Sequence, residues 1–283
     1  MRVLLANMED VWREAAARWT LLAYFFLSTI FIIIFASAIN LDVVDGTLAG
    51  AKLFGKNVHM SPQDNFEGIL LMFESGFAGF LAVFGTGLAV FATAHLVPRL
   101  QDKGTIDLYL SRPVSRVWLL MSRYIAGLML AATNVFYLIG TIWVIVIWKT
   151  GMVHPRFLMS GVVIMFLVAT MLAFAFLIGV ITSSTAVSIM ATFGIFLFGL
   201  ALAAHVHIEA AVSQQWLANL ISALYWIFPK TKDLILAVVA FVSNGQAPGM
   251  VTQTLGPIPF LTTAAFAIAC LVLAAWRFQR KEF

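Results

Sequence analysis

Charge is scarce in this sequence. Of 283 residues only 11% are Asp, Glu, Lys or Arg, less than half of the roughly 25% typical of a soluble domain. With 62% hydrophobic residues and a mean hydropathy of +0.98, a water-soluble fold is excluded and a multi-span membrane protein is implied. Cysteine is nearly absent as well. Cys270 is the only one and lies in the last apolar run, which rules out an intrachain disulfide, a thiolate metal cluster and cysteine redox chemistry within one chain. The net charge of +4 forms no basic stripe, because the Lys and Arg residues sit at the ends of apolar runs, so no nucleic-acid partner is expected. No paired carboxylates, no nucleophile beside a base and no metal cluster share one place in the chain, which argues against an enzyme.

What is present is long apolar runs. Crossing the hydrocarbon takes roughly 20 residues of helix, and six segments reach that length: 20 to 40, 69 to 97, 117 to 148, 157 to 182, 185 to 205 and 258 to 277. The second and third exceed the minimum, so they tilt, kink or protrude. The sequence ASA at 36 to 38 resembles a cleavage site, but the run Trp19 to Phe35 is long for a signal core and a charged segment precedes it, so no removed leader is expected. The whole chain, 1–283, reads as one transmembrane domain of all-α class.

Basic residues give the direction. With the N-terminus inside, Arg2, Arg13, Arg18, Arg99, Lys103, Arg112, Arg116, Arg123, Arg277, Arg280 and Lys281 fall in the cytoplasm. Lys52, Lys56, Lys149, Arg156, Lys230 and Lys232 fall outside. The positive-inside bias favours this orientation, with both termini cytoplasmic in a multi-pass protein of the cell membrane. Residues 1–18 carry Leu4, Met8, Val11, Trp12, Ala15 and Trp19 at helical spacing, the pattern of an interfacial amphipathic helix. In 206–257 the stretch Trp216 to Phe228 is too short to cross and stops at Pro229, with Lys230, Lys232 and Asp233 behind it. A broken, half-inserted helical pair on the outer face is expected, with its freed backbone groups covered by protein or water.

The remaining charge concentrates between spans two and three, in the cytoplasmic loop 98–116, which contains DKGTIDLYLSRPVSR from Asp102 to Arg116. Gly104 bends the chain, Thr105 is an N-cap candidate, and Ile106 to Leu110 make about one turn before Pro113 constrains Arg112. Ser115 then caps the third span. Arg and Pro beside a membrane helix serve as anchors and stop signals, but that does not account for Gly104-Thr105 followed by an apolar turn. A short helix between two breaks is a knob that docks into a groove.

GTIDLYLSRPVSR, with Arg123 following in LLMSRYIAG, resembles the loop between spans two and three of the ABC type-2 transporter permeases. The similarity rests on Gly104, Thr105, Leu108, Leu110, Pro113, Val114, Ser115 and Arg116, while Gln101 and Asp102 stand where that family usually has an acidic pair. The resemblance implies a permease subunit of an ATP-driven transporter, paired with a second permease chain around a central path. It implies that Asp102, Gly104, Thr105, Ile106, Asp107, Tyr109, Leu110 and Arg112 seat the loop in a separate ABC ATPase subunit. No Gly-x-x-x-x-Gly-Lys-Ser/Thr occurs in this chain, so ATP and magnesium belong to that partner and no cofactor to this subunit. The competing reading is a non-transporting anchor of a larger membrane complex. A gradient-driven transporter predicts repeated halves and charge at mid-bilayer, and neither is visible in the sequence.

Ionisable groups at membrane depth are the remaining candidates. Glu74 lies about one turn into span two with Glu67 seven residues earlier; it lines a substrate path or pairs with a basic group of a neighbouring helix. Gly76, Gly79, Ala82, Gly85, Ala89 and Ala92 leave span two thin, for close packing or for a path. Asn134 is expected to make an interhelical hydrogen bond. His59, His95, His154, His205 and His207 offer neither two facing mid-membrane ligands for haem nor, at 205 and 207, rings on one helix face for a metal.

Overall fold

The computed structural model describes residues 13, 19–44, 47–53, 56–57, 66–101, 115–202, 214–244 and 256–281. Its order is α1 (Trp19–Ala38), β1 (Ile39–Val44), β2 (Thr47–Leu53), β3 (Lys56–Asn57), α2 (Phe66–Thr93), α3 (Leu96–Leu100), α4 (Arg116–Thr150), α5 (Pro155–Thr182), α6 (Thr185–Leu202), α7 (Gln215–Ile227), α8 (Thr231–Val242) and α9 (Ile258–Gln279). Five stretches are long and apolar enough to cross a membrane: Leu70–Leu100, Arg116–Thr150, Pro155–Thr182, Thr185–Leu202 and Ile258–Gln279; a shorter apolar segment, Leu22–Ser37, lies in α1. The chain is a helical multi-pass membrane protein. The loop after α1 adds a small antiparallel sheet of order β1-β2-β3, with a register shift between Asp42 and Val43, which the sequence reading did not anticipate. The expected amphipathic helix 1–18 lies outside the described residues apart from Arg13.

The helix boundaries have local causes. Ser115 Oγ accepts from Trp118 N–H at 3.3 Å, opening α4 as expected, and Gly151 closes it in the left-handed region at φ 71°, where a residue without Cβ costs least. Pro155 starts α5, where its missing N–H has no helical partner to lose. The second apolar run bends at Ala94 and His95 and continues as α3, so it reaches three residues beyond the expected end at 97.

Helix α5 is the centre of the bundle, packed against α2, α4, α6, α8 and α9. One apolar cluster gathers Leu96, Leu120, Leu172, Phe176 and Phe278; a second gathers Ala78, Leu138, Ile139, Phe157 and Val242. Small residues set the spacing. Gly127 faces Leu96 and Leu172, Gly161 faces Phe136 and Ile139, and a Cβ on Gly79 would come within 2.8 Å of Val239. The thin strip on span two is therefore partly a packing surface, as Gly79 and the fully buried Ala82 and Ala89 show. Asn134 makes the expected interhelical bond, accepting from Ser28 Oγ at 2.9 Å.

The broken pair is present as α7 and α8, interrupted at Phe228, Pro229 and Lys230. Lys230 N–H donates to Thr263 Oγ1 near the start of α9 at 3.3 Å. Phe166 of α5 packs on Phe260, with ring centroids 5.8 Å apart, and Phe174 on Phe266 at 6.1 Å. Thr263 is thus level with the middle of α5, and so is the break. Gly199 of α6 makes room for it: a Cβ there would lie 2.8 Å from Pro229 O and closer still to Thr231 Oγ1. Replacing Gly199 with Ala therefore overpacks the break, at a cost of roughly 1–3 kcal/mol, and lowers the thermal midpoint in micelles. Gly140→Ala, whose Cβ meets nothing within 4 Å, leaves it unchanged or raises it.

Candidate functional site

The predicted docking residues Asp102, Gly104, Thr105, Ile106, Asp107, Tyr109, Leu110 and Arg112 lie outside the described residues. The two roots of their loop, Gln101 and Ser115–Arg116, are described, and they sit in a polar cluster built with two further helix ends, those of α5 and α9. At the end of α5 the carbonyls run out of helical donors; Gly179 O accepts from the Ser183 N–H at 2.9 Å. Gln101 Nε2 donates to Gly179 O at 2.8 Å and Lys281 Nζ donates to Val180 O at 2.9 Å, and a cation there also suits the negative end of the helix dipole. Ser183 caps α5 in the left-handed region at φ 53°, an expensive conformation for a residue with a Cβ. Its hydroxyl donates to Gln101 Oε1 at 3.1 Å and accepts from Lys281 Nζ at 2.6 Å, which holds that turn in place. Lys281 Nζ also donates to Gln101 Oε1. On the other root, Arg116 Nη1 donates to Lys281 O at 2.7 Å and Gln279 O at 3.3 Å. Arg116 is therefore tied to the C-terminal end of α9 and Gln101 to the end of α5, with Lys281 joining the two.

Glu74 is at the opposite end of the bundle. It is 3% exposed, and its Oε2 shares a hydrogen bond of 2.9 Å with His154 Nδ1 from the loop between α4 and α5. The carbonyl of His154 accepts from Trp143 Nε1 at 3.1 Å, fixing the loop that presents the ring. Nearby, Lys149 Nζ donates to Ala36 O at 2.7 Å, joining the ends of α1 and α4. Glu67 is exposed in the first turn of α2, so the structure separates the two carboxylates: one meets the surroundings and the other a histidine on a neighbouring segment.

Two residues passed over at the level of sequence stand out. A cleft opens between α2, α5 and α6, lined by Val83, Thr86, Met171, Phe193 and Phe196. Thr86 is 1% exposed and its hydroxyl has no partner among the described residues, whereas Thr93, Thr133, Thr170, Thr182 and Thr192 each donate to the carbonyl four residues back. An unused hydroxyl in an apolar cleft costs about 1–3 kcal/mol. The second is Lys230, which the positive-inside count placed outside the membrane. It is 4% exposed at the mid-height break, with Nζ over the rings of Tyr225 at 3.9 Å and Trp226 at 4.1 Å. Pro229 signalled the break; only the packing against α9 reveals its level along α5.

Burial, with a smaller contribution from the Arg277 charge, lowers Lys281 below its ordinary 10.5. The unfolded chain holds that proton more tightly, so the charge opposes folding below the lowered value and the opposition fades as pH climbs from there to 10.5. The gap in thermal midpoint between the natural chain and Lys281→Met should accordingly move in favour of the natural chain across that alkaline window; a constant gap would contradict the buried contacts. At the other end, His154→Ala strands the buried Glu74 carboxyl and is expected to cost on the order of 3 kcal/mol of stability. Glu74→Gln keeps a hydrogen bond to the ring and should cost less in the same unfolding measurement.

A sequence model of the family described as ABC-2 family transporter protein matches residues 10–283. Comparison with curated proteins gives no match.

Proposed function

Since the chain belongs to the ABC-2 family of transporter proteins, we propose that it is the permease subunit of an ATP-driven transporter, coupling hydrolysis in a separate ABC ATPase to movement of a substrate across the cell membrane. The family match over nearly the whole chain carries this reading. In it the loop 98–116 faces the cytoplasm with both termini, and Asp102 to Arg112 seat in the ATPase, which binds ATP and magnesium. This subunit is not itself an enzyme and holds no cofactor. The six-crossing topology, the half-inserted pair α7–α8 and a second permease chain, identical or sibling, complete the assembly.

The cluster at the loop roots supports a mechanical route. Closure of the ATPase pair pushes the loop; Gln101 and Arg116 pass the displacement through Lys281 and the end of α5 to the helix that contacts most of the bundle. The cleft between α2, α5 and α6, apolar apart from its threonines, supports passage of an amphiphilic or apolar substrate. Export is the direction proposed.

Replacing Ile106 and Tyr109 together with Asp removes the apolar turn and adds charge at the docking surface. The expected result is loss of the ATPase on co-purification, by at least about tenfold in affinity, with the permease itself still folded in micelles. An ATPase retained at full affinity counts against the assignment. Full binding in the natural chain, without any stimulation of ATP hydrolysis or ATP-dependent flux, would favour the anchoring role.

A further inference from the structure

The break between α7 and α8 joins several features that packing alone does not require. An ammonium group is held inside a chain whose surroundings are hydrocarbon, level with the middle of the central helix. Such a group is expensive to keep there without partners, by roughly 2.5–3.5 kcal/mol on insertion scales. Its rings, Tyr225 and Trp226, return about 2 kcal/mol when desolvated but accept no conventional hydrogen bond. The Asp233 carboxylate, which accepts from the Tyr225 hydroxyl at 2.8 Å, also acts on the Lys230 charge, but no described residue accepts a hydrogen bond from Nζ.

We propose that Lys230, flanked by Tyr225 and Trp226, binds the acidic head of an amphiphile embedded in the membrane, a fatty carboxylate or an alkyl phosphate. Three observations converge on an anion with an apolar tail. The ammonium has donors to give. Helix α8 begins at the next residue, Thr231, whose N–H is taken by Pro229 O; the N–H groups of Lys232 and Asp233, which have no helical partner, and the positive end of the dipole are at the same place. The surface of α7 leading to the site is apolar and open: Trp226 is 55% exposed, and Leu220 and Ile227 of the same helix are exposed as well, giving a tail somewhere to lie. A cationic guest would meet the Lys230 charge, and a neutral one would leave the donors unused.

The proposal goes beyond the transport reading and is tested without ATP or a partner subunit, so the failure of either leaves the other standing. The full chain is placed in nanodiscs of phosphatidylcholine alone and titrated with dibromostearic acid, with a brominated alkyl phosphate and with the matching brominated alcohol, following quenching of tryptophan fluorescence. The acid and the phosphate should quench saturably and the alcohol only in proportion to its amount in the bilayer. Trp226→Phe should remove the saturable part, Lys230→Met should weaken it at least about tenfold, the worth of one charge-assisted bond, and Lys230→Arg should keep it. Equal saturation by acid and alcohol in the natural chain overturns the proposal whether or not any variant folds, as does undiminished quenching in a folded Lys230→Met.

Discussion

Hydrocarbon offers a helix end no hydrogen bonds, and the architecture of this chain follows from how each exposed end is satisfied. Where α5 stops, its last carbonyls are met by Gln101 and Lys281, side chains from two other helices. Where the last helical pair is interrupted, the turn is received by Thr263 of α9 and by the space that Gly199 leaves on α6. Each solution draws on a residue distant in sequence, so helix ends that would fray in isolation become the joints of the bundle. The candidate functional elements lie at those joints: the roots of the loop between Gln101 and Ser115 at one, the buried lysine at the other.

The two ends of the bundle are built differently. At the loop roots charged and amide side chains bond to backbone carbonyls and to one another, and single donors serve several acceptors: Lys281 Nζ reaches Val180 O, Ser183 Oγ and Gln101 Oε1, and Arg116 Nη1 reaches Lys281 O and Gln279 O. Such a cluster can shift as a unit while its bonds persist, which suits a part that receives a push. At the Glu74 end the bond joins two side chains, one of them buried, and the neighbouring Lys149 secures α1 to α4. Removing one partner there leaves a polar group stranded, so this end is suited to stay fixed while the other moves.

Much of this was legible in the sequence because the constraint is composition itself. Runs of about 20 apolar residues mark crossings whatever their tertiary neighbours, and the expected segments fall within a few residues of α1, α2, α4, α5, α6 and α9. Local chemistry also reads directly: Ser115 as a cap, Pro229 as a break, Asn134 as an interhelical bond. What remained hidden is depth and partnership. Lys230 looks like an interfacial anchor because Lys beside Pro usually is one, and only its bond to Thr263 with the ring pairs above and below fixes its level. Thr86 is invisible among threonines until its neighbours are seen to bond their own helices. The sheet at 39–57 was missed because Gly and Asp punctuate that stretch and an apolar chain biases the reading towards helix. Glu74 was singled out with two roles open; its histidine partner comes from eighty residues further along.

The central claim is that the segment between Gln101 and Ser115 is gripped by a nucleotide-hydrolysing subunit in the cytosol. Site-specific photocrosslinking in native membranes addresses it most directly, with the reactive side chain placed at position 109. The account predicts one adduct, to an ATP-binding protein, whose yield changes between nucleotide-free and ATP-bound conditions. Adducts to lipid alone, or to a protein on the far side of the membrane, would contradict it.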